Sequence, residues 1–366
     1  MEGPRAPQIQ ELSRLINFLD SELRPQAGWS VAEEYPTALS EGNLHNIRFI
    51  EEDGEILSHA VVRPLIVKTP RIAWKVSAIG SVLTHPKYRN KGLSRKVIQE
   101  CLDLSEQQDC DIAILWSNLF EFYSAMGFEL AGEEINFRVD KLIPTPPRED
   151  LKFLEGNQID PNAWLRIFNQ HSINTLRTYD DVRRLLKIPN SQVITAWNSS
   201  GQLAGYLVEG KGADLQDHVH EWGGDVETIT NLLNERLKQK QQALRIIVGP
   251  HSQQLIDTLS SCGFERHQGY LGLIKILNPT KFAAKIRRTL TATMNSDTAT
   301  CSLHFDAQDN VFILSCKNES LELTESQLTK LVFGPVKDLG ANTSGFLQRN
   351  NLQVPLPLWL WGWDSI

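Results

Sequence analysis

The stretch Thr84-His85-Pro86-Lys87-Tyr88-Arg89-Asn90-Lys91-Gly92-Leu93-Ser94-Arg95-Lys96-Val97-Ile98 constrains this chain most. It reads as a strand end, a short loop with one glycine, and the start of a helix. A helix start has unpaired N–H groups and the positive end of the helix dipole, so it favours phosphate. Gly92 lets backbone approach a ligand closely, and Arg89 and Lys91 add positive charge. A phosphorylated ligand is expected at this loop. The competing reading is an ordinary basic helix start, and the flanking pattern has to decide between them.

That pattern is α/β. Residues 9–23 carry Ile9, Leu12, Leu15, Ile16, Leu19 and Leu23 at helical spacing. Strand patterns run from Asn46 to Ile50, Ile56 to Val67 and Arg71 to Leu83, with an Asp53-Gly54 turn between the first two. Ser94 to Gln107 is helical, and Asp111 to Trp116 is the short apolar run of an interior parallel strand. Asn118 to Met126 reads as a helix stopped by Gly127, and Phe128 to Val139 returns to strand. Pro144-Thr145-Pro146-Pro147 has linker composition.

A second unit repeats the order. Residues 161–187 are expected as helix, Gln192 to Trp197, Gln202 to Glu209 and His218 to Trp222 as strands, Asp225 to Lys240 as helix, Leu244 to Val248 as strand, and Gln253 to Leu259 as helix. Cys262-Gly263-Phe264-Glu265 then echoes Met126-Gly127-Phe128-Glu129, and Gly269 to Ile276 is a last strand. A third segment follows Pro279: a helix over Phe282 to Leu290, a hairpin of Thr298 to Phe305 with Asn310 to Cys316, and a capped helix from Thr324 to Val332. The end, Pro355 to Ile366, is rich in Trp and Pro, as a docked tail would be.

Size and charge narrow the function. A chain of 366 residues exceeds one ordinary core, which predicts two or three domains. The net charge of -7 argues against nucleic acid, and no apolar run reaches the ~20 residues of a membrane helix. Residues 1–10 have no apolar core and do not read as a signal peptide. Five cysteines without metal-type spacing predict reduced thiols and a cytoplasmic setting, with no metal.

The loop Arg89-Asn90-Lys91-Gly92-Leu93-Ser94, with Phe122-Tyr123-Ser124-Ala125-Met126-Gly127-Phe128 downstream, resembles the Gcn5-related N-acetyltransferase (GNAT) superfamily. Ser94 stands where the family's loop has glycine or alanine, and it is small enough to keep the turn. The resemblance implies a mixed-sheet fold that binds acetyl-CoA. It implies that backbone groups of Val82, Leu83 and Thr84 meet the pantetheine arm and thioester. Arg89, Asn90, Lys91, Gly92, Leu93 and Ser94 would wrap the pyrophosphate, and Asn118 would touch the cofactor. Tyr123 resembles the family's general acid, which protonates the departing thiolate; the plain alternative is a core aromatic. Glu33 and Glu34 border the expected substrate cleft, as amine-binding groups or as a solvated acidic pair.

Three segments in this order resemble the enhanced-intracellular-survival type of acetyltransferase. The implied domains are a catalytic GNAT unit over 1–143, a degenerate one over 150–279, and a small sterol-carrier-like α+β domain over 280–366 with a docked tail. In the second unit Asp225 and Glu227 occupy the helix start and oppose phosphate. His218 and His220 read as a structural or substrate-lining pair. In that group the chain terminus enters the active site, which would give the Ile366 carboxylate a part in proton transfer. The expected activity is acetyl transfer to a primary amine, a small molecule or a lysine-type side chain. The alternative is a non-catalytic acyl-CoA-binding protein.

Overall fold

The computed structural model describes residues 1–293 and 301–366. The first unit runs β1 (Glu2–Arg5), α1 (Leu12–Leu23), α2 (Val31–Glu34), β2 (Ile47–Glu52), β3 (Glu55–Lys68), β4 (Ala73–Thr84), α3 (Leu93–Gln107), β5 (Ile112–Leu115), α4 (Phe120–Ser124), β6 (Glu129–Ala131) and β7 (Glu134–Val139). The second runs β8 (Leu151–Glu155), α5 (Pro161–Phe168), β9 (Asn174–Thr175), α6 (Tyr179–Leu185), β10 (Gln192–Asn198), β11 (Leu203–Lys211), β12 (Asp214–Gly223), α7 (Val226–Lys240), β13 (Leu244–Val248), α8 (Gln253–Ser261), β14 (Glu265–Gly269) and β15 (Gly272–Ile276). The third holds α9 (Pro279–Thr293), β16 (Cys301–Asp306), β17 (Val311–Cys316), β18 (Glu319–Leu323), α10 (Glu325–Phe333) and α11 (Gly340–Arg349). The fold is mixed α/β, as expected, and no described helix is long and apolar enough to cross a membrane.

Strand exchange ties the first two units together. The first sheet has the order β1-β2-β3-β4-β5-β15-β6, with β9 beside β3. The second has the order β14-β7-β13-β12-β11-β10-β8. The first unit therefore gives β7 to the second sheet, where it pairs with β13 and β14, and the second unit gives the first sheet β15, which pairs with β5 and β6, and the two-residue β9, which pairs with β3. The connection from β6 to β7 is only Gly132-Glu133, and a Cβ at Gly132 would press on the Leu271 side chain. Alternation places Ile135, Phe137 and Val139 in the core beneath the second sheet. In the first sheet β4 and β5 are parallel and α3 is their crossover, the arrangement a strand–helix–strand pattern demands.

Several expectations change. The helix expected over 161–187 is two helices with β9 between them. Thr178 starts α6 afresh, accepting from the Asp181 amide (3.1 Å) while Asp181 accepts from the Thr178 amide (2.9 Å). The helix expected from Asn118 to Met126 is only α4, and β1, β18 and α11 had no clear pattern. Cys301 and Cys316 are joined by a disulfide across β16 and β17, contrary to the all-thiol expectation. The start of the predicted strand, 298–300, lies outside the described residues.

The tail after α11 leaves the third segment and returns between the first two. Leu356 donates its amide to Val332 O (2.7 Å), and the Trp74 indole donates to Pro357 O (2.9 Å). Leu356, Leu358, Trp359, Leu360, Trp361 and Trp363 are all buried. Each such side chain contributes on the order of 2 kcal/mol of burial.

The exchange predicts that residues 1–143 expressed alone aggregate. The fragment leaves β5 and β6 without β15 and leaves β7 without partners. Size-exclusion chromatography checks this; a monodisperse fragment with native-like circular dichroism would contradict it.

Candidate functional site

The loop after β4 ends in an open helix start. Asn90 and Gly92 both take left-handed backbone, with φ of 61° and 74°. Gly92 is the N-cap of α3, and open space surrounds the position where a Cβ would stand. The Leu93, Ser94 and Arg95 amides have no acceptor among the described residues, as the first turn of a helix requires. Lys91 lies over the Tyr88 ring (4.8 Å), and Arg95 lies over the Phe122 ring (5.8 Å). Ser94, the departure in the motif, has a structural use. Its hydroxyl bonds Thr84 Oγ1 (2.7 Å), which bonds Ser58 Oγ (2.9 Å), so three hydroxyls fasten α3 to β4 and β3.

Next to this helix start the sheet opens. The β4–β5 pairing ends at Ala78↔Ile114, while β4 continues to Thr84. On its other side β4 carries a bulge, because pairing with β3 jumps from Val61↔Gly80 to His59↔Leu83. Ser81 has φ 48°, unusual for a residue with a side chain. Burial holds the His59 imidazole down at about 4, so it is neutral and its Nδ1–H donates to Ser81 O (2.9 Å). The bulge is thus pinned from below. Ser81 Oγ is buried with no hydrogen-bond partner among the described residues.

Ile366 lies on this bulge. A Cβ at Gly80 would collide with the Ile366 carbonyl group and come within 2.8 Å of its Cγ1. Ser81, Val82, Ser365 and Ile366 share one cleft of about 780 Å3 with residues of the second unit. Tyr35, Trp116, Tyr270, Trp359 and Trp361 give it aromatic walls, and Glu134 and Asp214 give it carboxyl groups. Burial raises the Glu134 carboxyl to about 7. Asp214 accepts from the Tyr35 hydroxyl and lies 3.5 Å from Arg24.

The other residues singled out in the sequence are placed unevenly. Tyr123 is buried in the apolar cluster that holds Leu93, Leu115 and Phe128, with Val82 packed against it. Its hydroxyl has no hydrogen bond among the described residues, and burial raises its pKa. Asn118 is exposed in the loop after β5. Leu83 and Thr84 are buried in β4. Glu33 and Glu34 do not line the cleft, which corrects their expected contact with substrate. Glu33 caps α2 by accepting from the Ser30 amide (2.8 Å). Glu34 is fully buried and occupied: it accepts from Arg24 Nε (2.7 Å), Trp29 Nε1 (2.6 Å) and the Ala213 amide (2.7 Å).

Three features make the tail's seat, and of these the sequence singled out only His220. Arg177 joins Glu221 (2.9 Å) and Asp364 (3.0 Å) in a buried ion triad, and Thr175 also donates to Asp364 (2.8 Å). Lys211 is buried, donates to Gly362 O (3.0 Å), and is lowered to about 8 by desolvation. His220 is buried and neutral, with Nε2 donating to Gly210 O (2.9 Å). The tail's composition was the only hint that something must receive it. Among the described residues no group of three or more His, Cys, Asp or Glu is arranged to hold a metal ion.

At the equivalent point of the second unit, α7 is closed by its own sequence. Asp225 is its N-cap and accepts from the Thr228 amide (2.7 Å), with Arg148 3.8 Å away. A carboxylate already sits where an anion would bind.

Residues 18–131 match the family model described as acetyltransferase (GNAT) domain. No curated protein matches the chain. Solved structures match it in fold over nearly the whole length. A probable N-acyltransferase of unknown function from Enterococcus faecalis is 14% identical, with TM-score 0.68 and 96% of each chain covered. A GCN5-related N-acetyltransferase from Anabaena variabilis is 14% identical, with TM-score 0.64 and 99% of each chain covered. Eis1 from Mycobacterium abscessus is 13% identical, with TM-score 0.60, covering 95% of this chain and 92% of that one.

Glu134 yields a pH prediction. Its folded-state value, about 7, lies above its ordinary 4.5, so the folded chain holds this proton more tightly than the unfolded chain. Stability from this group is full below its unfolded value and falls as pH rises from about 4.5 to 7. Glu134→Gln should therefore flatten the stability profile across that window and gain relative to the parent at pH 8. Urea unfolding at several pH values reads it out; identical profiles would contradict it.

Proposed function

Because the chain carries an acetyltransferase domain of the GNAT family, we propose that it transfers an acetyl group from acetyl-CoA to a primary amine by direct attack in a ternary complex. The observation that carries this reading is the open N-terminus of α3 beside an opening in the sheet. The free amides of Leu93, Ser94 and Arg95 suit a pyrophosphate, and Arg89, Asn90, Lys91 and Gly92 complete the cradle. Val82, Leu83 and Thr84 offer strand backbone to the pantetheine arm, and Asn118 flanks it. The unpartnered Ser81 hydroxyl at the bulge fits a ligand in the opening.

The amine nitrogen attacks the thioester carbon, so a C–N bond forms and the carbonyl oxygen takes up negative charge. Amides pre-oriented at the bulge stabilise that charge. The C–S bond then breaks, and Tyr123 gives its proton to the sulfur. Burial keeps this phenol protonated at neutral pH, as a donor must be. The nitrogen's proton passes to a carboxylate in the cleft, for which we propose that of Ile366, lying over Gly80. Glu134, Asp214 and the aromatic walls suit a cationic acceptor.

Two variants test this. Tyr123→Phe should lower kcat by roughly a hundredfold with little change in KM for acetyl-CoA. Gly92→Trp should abolish acetyl-CoA binding; its left-handed φ of 74° adds a local strain of about 1–2 kcal/mol, but the open space around it spares the fold a clash. Thiol release from acetyl-CoA is followed with a panel of diamines, aminoglycosides and lysine peptides. Tight CoA binding with no turnover on any amine would favour a non-catalytic acyl-CoA-binding role instead.

A further inference from the structure

The second sheet has an opening like that of the first, and it is full. β12 and β13 pair only at His218↔Arg245 and Val219↔Ile246, and beyond these residues they part. The tail enters there. Trp361 is fully buried, with its ring 5.1 Å from Trp222 on β12 and 4.3 Å from His171. A Cβ at Gly249, just past β13, would lie 2.8 Å from the Trp359 ring. A Cβ at Gly362 would run into the His220 ring on β12. Tail residues thus stand where β12 and β13 part, and their outer side forms a wall of the cleft that reaches Ser81 and Val82.

Lys211, at the end of β11, is the charged group in this seat that has no opposite charge in contact. It is 1% exposed and has no carboxylate within ion-pair distance among the described residues. A buried ammonium in that state is costly unless its donors are met. Its acceptors among the described residues all belong to the tail's last turn: Gly362 O at 3.0 Å, Ser365 Oγ at 3.1 Å, and Ser365 O. Its ammonium also lies over the Tyr35 ring at 4.9 Å. Asp364, by contrast, is neutralised by Arg177. Lys211 thus grips the two carbonyls that bracket the turn leading to Ile366.

We propose that the second unit has converted its cofactor opening into a socket for the chain's own tail, and that Lys211 is the positioning residue that fixes Ile366 on the bulge at Gly80. The positioning role rests on the reading in which the Ile366 carboxylate accepts the amine's proton. The second unit is then neither a second catalyst nor inert bulk. It supplies the rigid wall from which a group reaches the first unit's reaction centre, as precise placement requires.

The test uses the full chain with Lys211→Met, Lys211→Arg and a deletion of Ser365 and Ile366. Hydrogen exchange by mass spectrometry follows the tail peptide, where the Asp364 amide is bonded to Trp361 O (2.8 Å). Lys211→Met should speed exchange over 362–366 by roughly tenfold or more. It should lower kcat by about tenfold and leave KM for acetyl-CoA within about twofold. Lys211→Arg should fall between it and the parent, and Lys211→Met should add nothing to the deletion. Tail exchange equal to the parent's overturns the socket. Fast exchange with unchanged kcat, while the deletion abolishes turnover, overturns the positioning role and spares the Ile366 reading. A deletion with parental kcat removes the Ile366 reading and the positioning role together, and tail exchange alone then decides the socket. If Lys211→Met does not fold, Gly362→Ala perturbs the same turn from the His220 side and is held to the same outcomes.

Discussion

Two parallel strands that part leave backbone groups and apolar side chains without their neighbours, and something has to take those places. That constraint organises this molecule. In the first sheet β4 leaves β5 after Ala78, and the gap faces a helix start with free amides and open space at Gly92. In the second sheet β12 leaves β13 after Val219, and the gap is packed with Trp359, Trp361 and Gly362. The same geometry thus receives the chain itself in the second sheet, while in the first we propose that a dissolved ligand takes the place. The helix starts agree with the occupants. α3 has no carboxylate in its first turn, whereas α7 is capped by Asp225 with Glu227 beside it.

Strand exchange makes the pairing of the units obligatory. β7 and β15 each complete the other unit's sheet, so neither sheet closes its core without the other. The tail adds a third tie, through the Arg177–Glu221–Asp364 triad and the stacking of Trp363 on Trp164 (5.0 Å). A buried triad of this kind adds less to stability than to uniqueness of placement, because desolvation offsets much of the attraction. Here the placement it specifies is that of the last residues over the bulge. The disulfide between Cys301 and Cys316 fastens the small third sheet, from which the tail departs after α11.

What the sequence revealed and what it hid divide along local and non-local physics. The open helix start at Gly92 was legible because strand end, glycine, basic residues and helix start are neighbours in the chain. The short helix that carries Tyr123 was legible from the glycine that follows it. The docked tail was legible from its tryptophans, though not its seat. The exchange of β7 and β15 was hidden because both strands carry ordinary apolar patterns, and pattern does not name a partner. Glu34 looked like half of a solvated pair, and only the fold brings Arg24, Trp29 and Ala213 around it. Lys211 carried no mark in the sequence, since its acceptors lie 151 and 154 residues further on. The bulge at Ser81 had no marker, because neither Gly80 nor Ser81 demands one.

The central claim is that the chain has two sheets with one kind of opening, and that only the first is free for a cofactor. Isothermal titration of CoA into the intact chain tests this most directly. The account predicts one site per chain, lost in Gly92→Trp and indifferent to Asp225→Ala. Two sites per chain, or one site that survives Gly92→Trp, would contradict it.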